Sequence, residues 1–271
     1  MSLKIKSFTG HGVSVHQTVP QHVTPADQFT YTSNGSAITI TDYIGEDTDI
    51  VIPSSITGLP VRTIGNDAIK FKSGLISITI PDSVTSIGTS AISMLPDLLS
   101  IVIGNSVASI GAGALTALLS IQTITIPASV TSLSGIPFNS CYALTDIIVA
   151  VANPQYASVD GVLFNKTLTN MVKYPEANVR PSYTIPTGTT TINTGAANVC
   201  NNLIVIVFPA SITSVQSFST CPSLVSASFL GNAPTIGSIF STVDPSFKIY
   251  YPTSATGWTT PTWHGFATVP V

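Results

Sequence analysis

"SVTSIGTSAI" occupies Ser83–Ile92, and "SVASIGAGAL" occupies Ser106–Leu115, 23 positions later. The copies differ at Thr85/Ala108, Thr89/Ala112, Ser90/Gly113 and Ile92/Leu115, while Val84/Val107, Ile87/Ile110 and Gly88/Gly111 are kept. Self-similarity at a fixed short period marks stacked repeats rather than one globular core. The spacing extends in both directions. An apolar residue, usually followed by Pro, recurs at Ile52, Ile80, Ile103, Ile126, Ile185 and Phe208, so successive anchors lie 28, 23, 23, 59 and 23 positions apart. Phe229, in "SFLGNAP", is a degenerate seventh anchor, 21 positions further on.

Each unit reads as one short β-strand and a return path. The strand is the alternating run before the anchor, as in "LISITI", "LLSIVI" and "IQTITI", with Leu98, Ile101 and Ile103 turned inward. Pro ends it by withholding an N–H. "SVTSIG" then returns with Ile87 and Ile110 buried, and Gly88 or Gly111 is expected to allow a tight corner. No unit this short can bury its apolar face alone, so neighbours must stack. The prediction is one continuous right-handed solenoid of about seven coils, mainly parallel β with one strand per coil and short turn or 3-10 segments.

Charged residues are 8% of the 271, against about a quarter in an ordinary soluble domain. The longest apolar runs, "IIVAVA" and "LIVIVF", fall far short of the ~18–20 residues of a bilayer helix, so no membrane span is expected. Surface polarity must come from Ser, Thr and Asn. Little net charge keeps copies apart, which suits an assembly or an exterior surface and allows a homo-oligomer. A net charge of −3 with nine Lys and Arg argues against nucleic acid, which needs clustered cations. The first residues have no apolar core of a secretory signal, so none is expected unless one was removed.

The chain resembles the BspA-type leucine-rich repeats over residues 29–271, on the strength of "LISITIPDSVTSIGTSAI" and its sister coils. Three further stretches carry the likeness. "NPQYASVDGVLFNKTLTNMVKYP" (153–175) is similar to that family's β-hairpin insert, "KIYYPTSATGWTTPTWHGFATVP" (248–270) to its C-terminal cap, and "FTYTSNGSAITITDYIGEDTDIVIPSSITGLPVRTIG" to its opening coil. Because insertions map to one face of a solenoid, the hairpin is expected to serve binding more than stability. The aromatic residue usual after "xxA" is Ile69, Ile92 and Leu115 here, so the core is expected to be unusually aliphatic. The chain is accordingly read as an N-terminal arm (1–28), which lies outside the resemblance, a leucine-rich-repeat solenoid (29–247, with an opening coil at 29–60) and a cap (248–271). The resemblance also implies non-enzymatic recognition: bacterial surface adhesion or host-protein binding, with occurrences in protists and bacterial viruses.

Catalytic and metal chemistry find little footing. All four histidines, His11, His16, His22 and His264, lie near the chain ends, and no G-x-S-x-G or H-E-x-x-H motif is present. Spacings of five and six on an irregular arm read as polar chain before they read as metal ligands. Asp42, Glu46, Asp47 and Asp49 lack the alternation and Gly of an EF-hand loop and read as a solvated turn ahead of a Ca²⁺ site. Asp160 in "VDGV" reads as a hairpin turn. Cys141, Cys200 and Cys221 match Leu95 and Leu118 of earlier coils and read as buried packing. Trp258, Trp263, Tyr250, Tyr251 and Phe266 read as a lid, with a sugar platform as the alternative. No catalytic residue, metal or cofactor is expected.

The outward strand columns are the best candidate for binding. One runs Asp49, Ser77, Ser100, Thr123, Asp146, Ser182, Val205, Ser226; the other runs Val51, Thr79, Val102, Thr125, Ile148, Thr184, Val207, Ser228. They form a flat, nearly uncharged face suited to a protein partner, either a neighbouring subunit or a host surface protein. The setting expected is a virus-particle appendage mounted by its arm, with Val13, Val15 and Val19 as buried anchors. The alternatives are a bacterial cell-surface adhesin and, further off, a carbohydrate-active protein.

Overall fold

In the computed structural model, residues 22–271 are described in full, and Leu3–Lys6 and Gln17–Pro20 as backbone alone, paired antiparallel. The body is a three-sided β-solenoid with almost no helix. The front ladder runs Asp49–Val51, Ser77–Thr79, Ser100–Val102, and its column continues through Thr123–Ile126 and Asp146–Val149. It resumes at Ser182–Thr184 and passes through Val205–Phe208, Ser226–Phe229 and Lys248–Tyr251 to Phe266–Pro270. That is ten front strands among the described residues, where the anchors predicted about seven coils. The difference arises at Asp146–Val149, inside the longest gap between anchors, and in the segment expected to act only as cap, whose strands extend the ladder.

The return ladder stacks Leu59–Ile64, Ser86–Ile87, Ser109–Ile110 and Ser132–Leu133, with Ile64, Ile87 and Ile110 in register and buried. A third, shorter ladder joins Ile69–Lys70, Ile92–Ser93 and Leu115–Thr116. Between the sides the chain turns through left-handed residues at a fixed phase: Asp67, Ser90 and Gly113 (φ 57°, 51° and 59°), then Phe71, Met94, Ala117 and Ser140. Gly88 and Gly111 are therefore not the corners. Their role is close approach: a Cβ on Gly111 would lie 2.7 Å from the carbonyl carbon of Gly88, and one on Gly88 would lie 2.5 Å from Asn66 Oδ1.

The insert departs most from expectation. Tyr156–Val159 and Val162–Asn165 form a hairpin turned by Asp160 and Gly161 (φ 53° and 78°), as the Asp-Gly signal requires. A third strand, Asn170–Lys173, leaves it antiparallel and then pairs in parallel with Thr191–Ile192, becoming a rung of the return ladder. The hairpin does not stand off the solenoid. Leu163 belongs to the apolar cluster of residues 29–149, while its neighbours Val162 and Phe164 belong to the cluster running on to Trp263. Alternation along one strand thus feeds side chains into two adjoining apolar clusters of the one solenoid.

Buried asparagines clamp the insert at both ends. Asn153 Nδ2 donates to Pro127 O and Val130 O, each at 2.9 Å, and its Oδ1 accepts from the N–H groups of Gln155 and Tyr156. Asn178 Nδ2 donates to Thr145 O and Asp160 O. Close by, Lys173 donates to Glu176 Oε1 at 2.7 Å, both side chains being buried.

Candidate binding face

The predicted column lies on the front ladder in register: Thr79 beside Val102, Thr125 beside Ile148, and Thr184, Val207 and Ser228 in series. Val102, Thr125, Ile148 and Thr184 are exposed; Thr79, Val207 and Ser228 are half-buried. The structure brings these residues to one side in two blocks, because no front strand bridges Val149 and Ser182 and the hairpin turn fills the gap. There the Ile147 N–H donates to Gly161 O at 2.9 Å.

Val51, expected to face out in the same column, is buried. Thr24 crosses it: the Thr24 N–H donates to Val51 O, and Thr24 Oγ1 accepts from the Val51 N–H, both at 3.0 Å. Residues 24–28 are likewise tied to the body, since Gln28 O accepts from the Ile44 N–H at 2.9 Å. Val13 and Val15 lie outside the described residues, and Val19 falls in Gln17–Pro20, of which only the backbone is described.

Two hollows adjoin the first coils. A groove of about 430 Å³ follows the end of the front strands, with Ile52, Ile80 and Ile103 along it and Val23 and Asp82 on its rim. A more polar hollow of about 350 Å³ lies between Tyr43, Glu46, Asp47, Phe71 and Lys72. In it the buried Tyr43 hydroxyl accepts from the Asp47 N–H at 2.9 Å, and burial raises its pKa. Asp49 accepts hydrogen bonds from Ser77 and Thr48. Among the described residues, no group of three or more His, Cys, Asp or Glu side chains is placed to hold a metal ion.

The sequence reading missed an apolar side stripe. Phe71 is 67% exposed and Met94 46%, one coil apart on the same left-handed corner, and Leu99, Leu119 and Tyr142 are exposed elsewhere on these coils. The signal was available: the same position is Ala117 and Ser140 in later coils, so the corner does not require a large side chain.

The three cysteines are buried free thiols in the column of Leu95 and Leu118. Burial pushes the Cys141 thiol up to about 12, and raises Cys200, which also touches Cys221. They serve as packing. The terminal aromatics are spent on one another: Trp258 lies 5.1 Å from Tyr251 at 14° and 4.9 Å from Phe229, and its Nε1 donates to Gly231 O. They sit at the last front strands, and Asp42–Asp49 at the first. At ~4.8 Å per strand the separation is roughly 40 Å, so the two groups cannot form one carbohydrate site.

The fold and face together define a repeat solenoid that presents a broad strand surface. The family described as "BspA type Leucine rich repeat region" matches residues 62–180 and 176–242 in six copies, and the chain belongs to that family. Similar solved structures include a leucine-rich repeat protein from Eubacterium ventriosum ATCC 27560, at 19% identity and TM-score 0.53, covering 82% of this chain and 76% of that one. A leucine rich cell surface protein from Faecalibacterium prausnitzii A2-165 is 21% identical with TM-score 0.47, covering 88% and 90%. The T. pallidum leucine rich repeat protein is also 21% identical with TM-score 0.47, covering 85% and 86%. No curated protein matches the sequence. Among the described residues, no helix is long and apolar enough to cross a membrane.

Proposed function

We propose that the chain is a non-enzymatic recognition and structural module, displayed on the exterior of a virus particle, whose front strand face contacts another protein. The observation that carries the reading is the character of that face. Val102, Thr125, Ile148 and Thr184 project from registered parallel strands with no cation or aromatic ring among them. Such a surface offers area without a pocket of converging polar groups, which suits protein contact over small-ligand capture. The arm is the proposed mount, with Val13, Val15 and Val19 as anchors. Family membership favours a second reading, a bacterial cell-surface adhesin.

Immunogold labelling with antiserum to the solenoid separates the two. Label on virus particles supports the first reading, label on bacterial envelopes the second, and label on neither overturns both. Because Thr24 and Gln28 are bonded to the body, the arm is cut after residue 21. The expected result is an unchanged Tm with loss of incorporation into the particle. Full incorporation of the shortened chain refutes the mounting role.

A further inference from the structure

We propose that Cys200 and Cys221 are a disulfide site, at which one covalent bond joins adjacent coils of the solenoid and closes a loop around the front strand Val205–Phe208. The bond depends on the geometry of the folded chain and on an oxidant, and does not rest on where the chain is displayed.

Register comes first. The two cysteines stand 21 positions apart, the same interval as Phe208 and Phe229, which are paired in register and stack at 4.2 Å. Val199 bridges Thr220 in parallel, and the Cys200 N–H donates to Thr220 O at 2.9 Å, so the next residues along, Cys200 and Cys221, lie one rung apart. Rungs are ~4.8 Å apart, inside the range of ~4.4–6.8 Å between Cα atoms that a disulfide spans. Contact comes second. Both side chains are buried in the same apolar cluster, and the Cys200 thiol is in hydrogen-bond contact with that of Cys221.

Cys141 supplies the contrast within the chain. It precedes Asp146–Val149 as Cys200 precedes Val205–Phe208, but the coil of Ser182–Thr184 comes between them. Two rungs are ~10 Å, beyond the reach of a disulfide, and Cys141 Sγ donates instead to Leu115 O at 3.4 Å.

The step is a thiol–disulfide exchange. Both S–H bonds break and one S–S bond forms, while the two electrons and two protons reduce an external small-molecule disulfide to its two thiols. The attacking species is a thiolate. Burial, and then the contact with Cys221, raises the Cys200 pKa, and the nearby Lys173 charge acts in the opposite direction. The pair therefore reacts as its coils fold or open locally. Once the coils close, the bond is shielded from reducing thiols, because both residues are buried.

The test holds the full chain with oxidised glutathione in urea just below its unfolding transition, then unfolds it, alkylates the remaining thiols and digests with trypsin. Because Arg180 is followed by Pro181, a single tryptic peptide, Tyr174–Lys248, contains both cysteines, while Cys141 lies in Ser73–Lys166. The expected result is a Tyr174–Lys248 peptide lighter by two hydrogens with neither cysteine alkylated, beside a Ser73–Lys166 peptide alkylated at Cys141. The linked chain should melt several degrees above the reduced one. Alkylation of both Cys200 and Cys221, glutathione left on either as the end product, or a link from Cys141 to Tyr174–Lys248 overturns the proposal. Equal Tm values for the linked and reduced chains would show that the closed loop holds nothing, and overturn its clamping role.

Discussion

The two halves of the solenoid solve the same packing problem with different side chains. In the cluster spanning residues 29–149, three of 37 buried residues are aromatic; in the cluster running from Val162 to Trp263, nine of 25 are. The first half stacks aliphatic columns such as Ile78 and Ile101, paired in register one coil apart. The second stacks rings: Phe208 lies over Phe229 at 4.2 Å and 3°, and Phe218 meets Phe208 edge-on at 5.9 Å. Ring pairs add about 0.5–1.5 kcal/mol beyond their buried area, whereas branched aliphatics rely on fit and on few rotamers. Coil geometry is common to both halves; the filling is local. What joins them is the hairpin strand whose alternate side chains enter each core.

Removing that strand is the harshest way to break the comparison. Deletion of Asn153–Pro175 takes out Val162, Leu163, Phe164 and Met171, all fully buried. Neither half should then melt cooperatively by circular dichroism. A deletion variant that melts like the parent would instead restore the view of the insert as a binding element with little part in stability.

A smaller perturbation asks whether the halves are one cooperative unit. Ile124→Asp places an unpaired charge in the first core and Ile206→Asp in the second, both sites being fully buried, at a cost of several kcal/mol each. Hydrogen exchange should show protection lost in both halves for either variant. Loss confined to the mutated half would mean that the hairpin insulates rather than couples.

The ring stacks can be weighed against the aliphatic columns by truncation. Phe208→Ala is expected to lower stability by about 3–5 kcal/mol, and Ile103→Val by about 0.5–1.5 kcal/mol, read from denaturant midpoints. A loss at Phe208 no larger than that at Ile103 would mean that the Phe208 ring is not packed in the core.

The gentlest change is at the surface of the seam. Arg180 lies 3.8 Å from Asp146 and 3.6 Å from Asp160, and donates to Asp160 O at 2.7 Å, with its side chain about a third exposed. Solvent screening holds such contacts to about 0.2–1 kcal/mol. Arg180→Ala should therefore shift Tm by a few degrees at most, and less in high salt. A larger shift would make the surface pair part of the clamp.

Most of the fold was legible because it is written in period. Ile87 and Ile110 recur one repeat apart and do stack, and Cys141 and Cys221 occupy the place of leucines in the buried column. What stayed hidden depends on contacts between coils or on chain crossing from elsewhere. Val51 matches its outward column by alternation, yet Thr24, distant in sequence, lies across it. Gly88 suggested a corner because glycine permits one, but the turn comes at Ser90, and glycine is needed for the neighbouring backbone. The front columns were read from alternation alone, which sets Val102 and Ile148 outward but carries no sign of the break at the hairpin.

Glycines that meet backbone to backbone from coil to coil also act as a ruler on the chain's own history. Gly65, Gly88 and Gly111 stand at equal intervals, each without room for a Cβ against the coil before it. Copying or losing a whole coil keeps every glycine opposite its counterpart. Slipping by a residue or two drives a side chain into the neighbouring main chain. Along the stretch these glycines span, length can change only in whole coils, so the surface offered there is adjusted in steps of one rung, ~4.8 Å at a time.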